Sequence, residues 1–233
     1  AVFTTVGIFR WGYDPEVGNF VPKGAVASSG VPEARIEPNN LCQFSYVIDT
    51  HRDKDVWRAQ KAFEDYVQSI SAFNKGQKNR RTWQDGSTAN QPNSAFAFTS
   101  RVFVRRTSST RHLEAQIKFP LHEWIKDATG PNSAYFANPD RPTVFELRDG
   151  ELHDIKQCDP PFLKSGDLIW ISFGVEFIIG TDLWSTSFVP FEIIRVASVS
   201  PDLIGDSSER SLVTEDAAPR PRLQVGMKVS ISE

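Results

Sequence analysis

The sequence predicts a β-rich α+β fold, a barrel (OB-like) or a sandwich, with one long amphipathic helix packed on the sheet. Three features predict it. The stretch from Pro161 to Ser200 is dense in Ile, Val, Phe and Trp, the residues that suit a pleated, packed surface. One segment, Asp55 to Phe73, carries its apolar residues at helical spacing over several turns. Elsewhere short apolar runs alternate with Gly, Pro, Asn and Ser, the punctuation of strands and turns.

Taken in order, Ala1 to Trp11 reads as a strand, with Val2, Thr4, Val6 and Ile8 on one face and Phe3, Thr5, Phe9 and Trp11 around the other. Gly12 to Pro15 ends it, and residues 15 to 40 read as an irregular surface connection. Leu41 to Ile48 is the next strand. In the helix, Val56, Ala59, Phe63, Tyr66, Val67 and Ile70 form the predicted inner stripe. Asp53 or Asp55 suits its start, and Asn74 to Gly76 its end. Lys75 to Asn93 is polar and reads as a flexible loop. Phe96 to Arg106 and His112 to Phe119 are predicted strands, joined by a turn at Thr107 to Thr110.

Leu121 to Lys126 reads as one or two helical turns, Thr129 to Pro142 as loop, Thr143 to Leu147 as a short strand and Arg148 to Gly150 as a turn. A tight turn at Lys164 to Asp167 feeds a strand over Leu168 to Ile179, and Gly180 to Asp182 turns the chain into Leu183 to Val199. Pro190 has no N–H for a ladder, so it marks an edge, a bulge or a break. This hairpin is expected to carry much of the core. Residues 1–200 are expected to form one domain, 201–222 an acidic, Ser/Pro-rich linker or tail, and 223–233 a last edge strand.

A chain of 233 residues buries a sizeable core. Six Trp and 17 Phe favour β cores, interfaces or stacking surfaces. The net charge of -3 excludes a uniformly basic nucleic-acid binder and leaves room for a local patch. Cys42 and Cys158 are the only cysteines, and without C-x-x-C they argue against a cysteine-based zinc site. No apolar run reaches the ~18 residues of a membrane span. There is no N-x-[ST] sequon and no signal-peptide pattern, so an intracellular setting, cytoplasmic or nuclear, is expected. The chain begins at Ala1 and holds Met227 as its one methionine, as a processed or excised chain would.

The pattern SGDLIWISFGVEF followed by WSTSFVPFEIIRV, within residues 164–196, resembles segments of uncharacterised proteins of mushroom-forming fungi. That resemblance implies a eukaryotic cellular protein and brings no activity, cofactor or site with it.

Charge distribution points furthest toward function. Residues 51 to 118 hold thirteen Lys/Arg against six Asp/Glu, a net of +7 in a chain whose total is -3. Lys75, Lys78, Arg80 and Arg81 lie beside Trp83, and Arg101, Arg105 and Arg106 lie on or at the end of a strand carrying Phe96, Phe98 and Phe103. Cations that track a phosphate backbone, with an aromatic ring for bases to stack on, are the ingredients of a single-strand-binding surface. These eight residues are therefore the predicted interface of a nucleic-acid-binding module without catalytic activity or cofactor, taking single-stranded or structured nucleic acid. The plain alternative is a solvated basic face beside core aromatics.

Two other readings stand beside it. One is a self-associating structural or protein-interaction domain of jelly-roll type, a homo-oligomer. The other is a non-haem iron oxygenase using His51 and Asp53 as H-x-D, with His112 or His153 as the distal ligand. Against the last, Asp53 sits at a helix start, where capping is its simpler job. His122-Glu123 is not H-E-x-x-H because position 126 is Lys, and no G-x-S-x-G or P-loop occurs.

Overall fold

The computed structural model describes residues 1–27, 34–70, 73, 78–80, 87–88, 91–92 and 94–199. Its elements in chain order are β1 (Phe3–Gly12), β2 (Gln43–Asp49), α1 (Asp55–Ser69), β3 (Asn79–Arg80), β4 (Ser87–Thr88), β5 (Gln91–Pro92), β6 (Ala95–Arg101), β7 (Phe103–Arg105), α2 (Glu123–Ala128), β8 (Tyr135–Ala137), β9 (Thr143–Arg148), β10 (Glu151–Asp154), β11 (Asp167–Ile179) and β12 (Leu183–Ser198). Single 3-10 turns occupy Arg111–Gln116 and Ile155–Gln157.

The long hairpin organises the fold. β11 and β12 pair antiparallel from Asp167–Ser198 to Ile179–Trp184, and their neighbours extend one sheet in the order β10-β9-β12-β11-β1-β2-β6. β12 also takes β9 and the short β3 in parallel. Pro190 sits at a bulge, because Phe173 faces Pro190 while Ser172 faces Glu192, leaving Phe191 as the extra residue. The sheet curls until β6 lies against β12. Phe96 and Phe98 of β6 meet Phe188 of β12 at ring-centroid distances of 5.0 and 6.3 Å. Among the described residues no ladder joins these two strands, so the curl is closed by aromatic packing rather than by backbone pairing.

Alternation decides what fills the curl. Phe9, Phe44, Tyr46, Ile48, Phe96, Phe98, Ile169, Ile171, Phe173, Phe188 and Ile193 all lie in one buried cluster. Burying a side chain of this kind contributes about 1.5–3 kcal/mol, so the cluster outweighs any surface ion pair. On β1 Phe3, Thr5 and Phe9 turn inward and Val2, Thr4 and Val6 outward, as the alternation predicts. The register then shifts between Phe9 and Trp11 and leaves Trp11 exposed. Both cysteines are free and buried.

α1 packs against this sheet on a stripe rotated from the predicted one, which keeps Val56, Phe63 and Val67 inward and turns Ala59, Tyr66 and Ile70 out. Its buried residues are Gln60, Glu64 and Val67, whereas Tyr66 is 67 % exposed and Ile70 and Ala59 are also exposed. The cause is a polar target. Thr186 of β12 donates to Glu64 Oε1 at 2.6 Å and Arg80 of β3 makes an ion pair with Glu64, which rotates the carboxylate inward and Tyr66 outward. Phe63 and Trp57 complete the contact against Phe3 and Phe96. The helix ends at Ser69, before Phe73, and Asp53 serves its start only by accepting the Asp55 N–H at 2.8 Å. The predicted stop at 74–76 lies outside the described residues.

Two predicted strands are corrected. Phe96 to Arg106 is broken at Val102, whose N–H goes to the Cys42 carbonyl, and the chain leaves the large sheet to pair β7 with β8. His112 to Phe119 is no strand. Hydroxyl–backbone bonds among Thr107 and Thr110 start a 3-10 turn, and Glu114 is drawn onto Arg106. β8, β10 and the short pieces β3 to β5 inside the predicted loop were not visible in the apolar pattern. Among the described residues, no helix is long and apolar enough to cross a membrane.

Candidate nucleic-acid interface

The predicted interface residues separate into three groups. Lys75, Arg81 and Trp83 lie outside the described residues. Arg80 and Arg106 face inward. Arg101 and Arg105 are exposed and, among the described residues, make no ion pair. Lys78, half-buried just before β3, has a partner within the protein.

Arg106 is the most completely engaged. Its Nε and Nη2 donate to the two carboxylate oxygens of Glu114 at 3.0 and 2.5 Å. Its Nη1 donates to the carbonyls of Gly130 (3.0 Å) and Ser133 (2.5 Å), and its Nη2 to that of Thr129 (3.0 Å). The side-chain hydrogen bond to Glu114 raises the guanidinium's pKa and lowers the carboxyl's. Every nitrogen of the fork is in use, so Arg106 is corrected from a phosphate contact to the tie between β7, the 3-10 turn and the loop after α2. Arg80 is likewise corrected. Its guanidinium pairs with buried Glu64 and its strand fixes the chain beside Trp184. Arg58 also pairs with Asp55 and Lys61 with Asp65 on the surface of α1, so these two cations are engaged as well.

Arg101, by contrast, stands at a groove. Where β6 runs against β12, their outward side chains form the walls of a channel of about 620 Å³. Thr99, Ser100 and Arg101 come from β6, and Ser185, Ser187, Val189 and Phe191 from β12. Asn40, Gln43 and Asn138 add amides, and Arg35 adds a second guanidinium. Asn138 Nδ2 donates to the Arg101 carbonyl at 2.8 Å and to Ser100 Oγ at 3.3 Å, which anchors that wall.

The aromatic component comes from a residue the sequence reading passed over. Phe191, the bulged residue, is 40 % exposed in this groove. Gly174 on β11 makes room for it, because a Cβ there would come within 2.8 Å of the ring's Cζ. A Pro-adjacent Phe opposite a strand Gly was the available signal, since Gly inside a strand marks a close approach. Asp140 and Glu176 also line the groove, so its field is mixed rather than uniformly positive.

The alternative iron site does not assemble. Among the described residues no three of His, Cys, Asp and Glu come together as metal ligands. The His51 N–H is hydrogen-bonded to Asp49, and Asp53 accepts from Asp55.

No family model matches the chain, and no curated protein matches it either. Among solved structures it is similar to gp2.5, a single-stranded DNA binding protein encoded by bacteriophage T7, with a TM-score of 0.40 and 13 % identity over 92 % of this chain and 98 % of that one. It is also similar to a C-terminally truncated single-stranded DNA-binding protein from bacteriophage Enc34, with a TM-score of 0.41 and 9 % identity over 86 % of this chain and 88 % of that one. Likenesses this distant say nothing of what this chain binds.

Proposed function

We propose that the protein is a nucleic-acid-binding module that takes single strands along the groove between β6 and β12. The observation that carries this reading is the placement of exposed Arg101, which makes no ion pair among the described residues, on a channel wall that also carries Phe191 and a row of hydroxyl and amide side chains. Arg101 meets phosphate, with Arg105 just beyond the groove wall at Val104 adding a second cation. Phe191 offers a face to a base, and Asn40 and Gln43 offer donors and acceptors to base edges, while Asn138 holds the wall. Asp140 and Glu176 repel phosphate but accept from exocyclic amines, as carboxylates do with cytosine. A duplex hides its base faces, so this combination favours unpaired bases. Lys75, Lys78, Arg81 and Trp83 are the loop's share of the interface in this reading. β3 places that loop's stem against Trp184, next in sequence to Ser185 of the groove.

Fluorescence-anisotropy titration of labelled single-stranded and duplex oligonucleotides at two salt concentrations tests the proposal. Binding is expected to prefer the single strand and to fall with salt. Replacing Arg101 and Arg105 together by Ala is expected to weaken it about tenfold, roughly 1.4 kcal/mol. No binding at low salt would sink the reading.

A second reading, self-association, is favoured by the outer edge of the sheet. Leu147 and Leu152 face each other across β9 and β10 and are 42 % and 49 % exposed. Light scattering across a concentration series checks it: a dimer lost on Leu152→Lys supports it, and a monomer throughout rejects it.

A further inference from the structure

β1 touches α1 through Phe3 and, with Phe9 to Gly12, lines a separate cleft of about 470 Å³. Ile155, Val144 and Leu163 supply aliphatic surface there, and Trp11, Tyr13, Tyr46 and Phe162 supply rings. Trp11 is 43 % and Phe162 53 % exposed, which is costly for two large rings at one opening unless something covers them.

Both rings are held in place. Trp11 sits on β1 with its ring edge-to-face against Tyr13 at 5.6 Å. Phe162 lies on a loop clamped by buried Arg195, which donates to the Phe162 carbonyl at 2.9 Å and the Pro160 carbonyl at 3.0 Å. Arg195 is itself held by Glu146 at 2.5 Å and lies 3.7 Å from Asp167. Rings mounted on fixed backbone lose little freedom when a flat ligand arrives.

Two polar groups at the cleft lack partners among the described residues. Tyr46 is 2 % exposed and its hydroxyl is shielded from solvent with no hydrogen bond. Burial raises the phenol's pKa well above its ordinary value, so the hydroxyl keeps its proton and is able to donate as well as accept. Asp14 uses Oδ1 for the N–H groups of Glu16 and Val17, and its Oδ2 takes no hydrogen bond. An alkyl chain would leave both groups unmet. A flat ring with an N–H edge would meet Asp14 Oδ2 directly, and Tyr46 once a small shift uncovers its hydroxyl.

We propose that this cleft binds a nucleobase, its face against Trp11 and Phe162 and its hydrogen-bonding edge toward Asp14 and Tyr46. The cavity is of the size that small-molecule sites occupy. The choice of a base over other flat rings rests on the nucleic-acid reading of the groove, although the cleft shares no residue with it.

The test is ligand-observed NMR and tryptophan-fluorescence titration of the full chain with adenosine, guanosine, cytidine, uridine and N-acetyltryptophanamide, alongside single-stranded oligonucleotides. At least one nucleoside is expected to saturate and to bind tenfold or more tightly than the amide. Phe162→Ala is expected to weaken it at least tenfold without moving the melting temperature, because that ring is exposed. Tyr46→Phe removes an unmet hydroxyl, so it is expected to keep or raise stability while weakening the nucleoside severalfold. A base accepted only from within a strand would appear as oligonucleotide affinity that falls with Phe162→Ala. Arg101→Ala leaves nucleoside binding unchanged, so failure of the groove and failure of the cleft are separable. The proposal is overturned if the amide binds as tightly as any nucleoside, or if neither nucleosides nor oligonucleotides respond to Phe162→Ala.

Discussion

Arg101 and Arg106 leave the same stretch of chain five residues apart and meet opposite surroundings. Arg106 is 14 % exposed, with its fork divided between Glu114 and three backbone carbonyls. Arg101 is exposed on the wall of a groove and makes no ion pair among the described residues. What separates them is the break at Val102, where the chain leaves the large sheet and begins β7. Before the break an outward arginine faces solvent. After it, the outward side is covered by the 3-10 turn and the loop following α2. A count of positive charges in sequence therefore overstates the charge a polyanion would meet, and ion pairing within the fold decides how much remains.

The largest effect that sharpens this contrast is on stability. Arg106→Ala leaves Glu114 without its partner and removes one donor from each of three carbonyls, of which Gly130 keeps the Ser133 N–H, and is expected to lower stability by about 3 kcal/mol. Urea unfolding measures the loss, and oligonucleotide affinity of the folded fraction is expected to stay at the wild-type value. Weakened binding with unchanged stability would reverse the roles of the two arginines.

An acid titration comes next. Glu146 is held at about 2, against an ordinary 4.5, first by its hydrogen bond from Arg195 and then by those from Cys158 and Arg148. A depressed carboxyl contributes stability that is complete above its unfolded value and is lost as pH falls through its folded one. Melting temperature is thus expected to fall as the pH drops from about 4.5 toward 2. Glu146→Gln should start lower and fall less over that window. The smallest effect belongs to Lys61→Ala, which breaks an exposed i,i+4 pair with Asp65. A stability change within about 0.5 kcal/mol is expected by thermal melting.

The hairpin from Asp167 to Ser198 was legible because its apolar run is long, its turn carries Gly180, and Pro190 announces a bulge. α1 was legible as a helix but not in its facing. The apolar stripe through Tyr66 and Ile70 was a reasonable guess until Thr186 and Arg80, distant in sequence, supplied a partner for Glu64. Long-range polar contacts leave no local period to read. The same limit hid the groove: Phe191, Asn138 and Arg101 come from three separate segments and meet only because β6 curls onto β12. Arg101 is the member of the charge run that lines the groove among the described residues. Arg80 and Arg106 were misread because sequence does not show which cation an internal carboxylate has taken.

The most direct test of the account is the salt dependence of single-strand binding by wild type and Arg101→Ala. Plotted as log affinity against log salt concentration, the wild-type slope reports the phosphates neutralised, about 0.7 per contact on a single strand. The account predicts that Arg101→Ala weakens binding across all sequences and makes the slope shallower by roughly one contact. A variant that binds with the wild-type affinity and slope would contradict it, and would remove the groove between β6 and β12 as the path of the phosphate backbone.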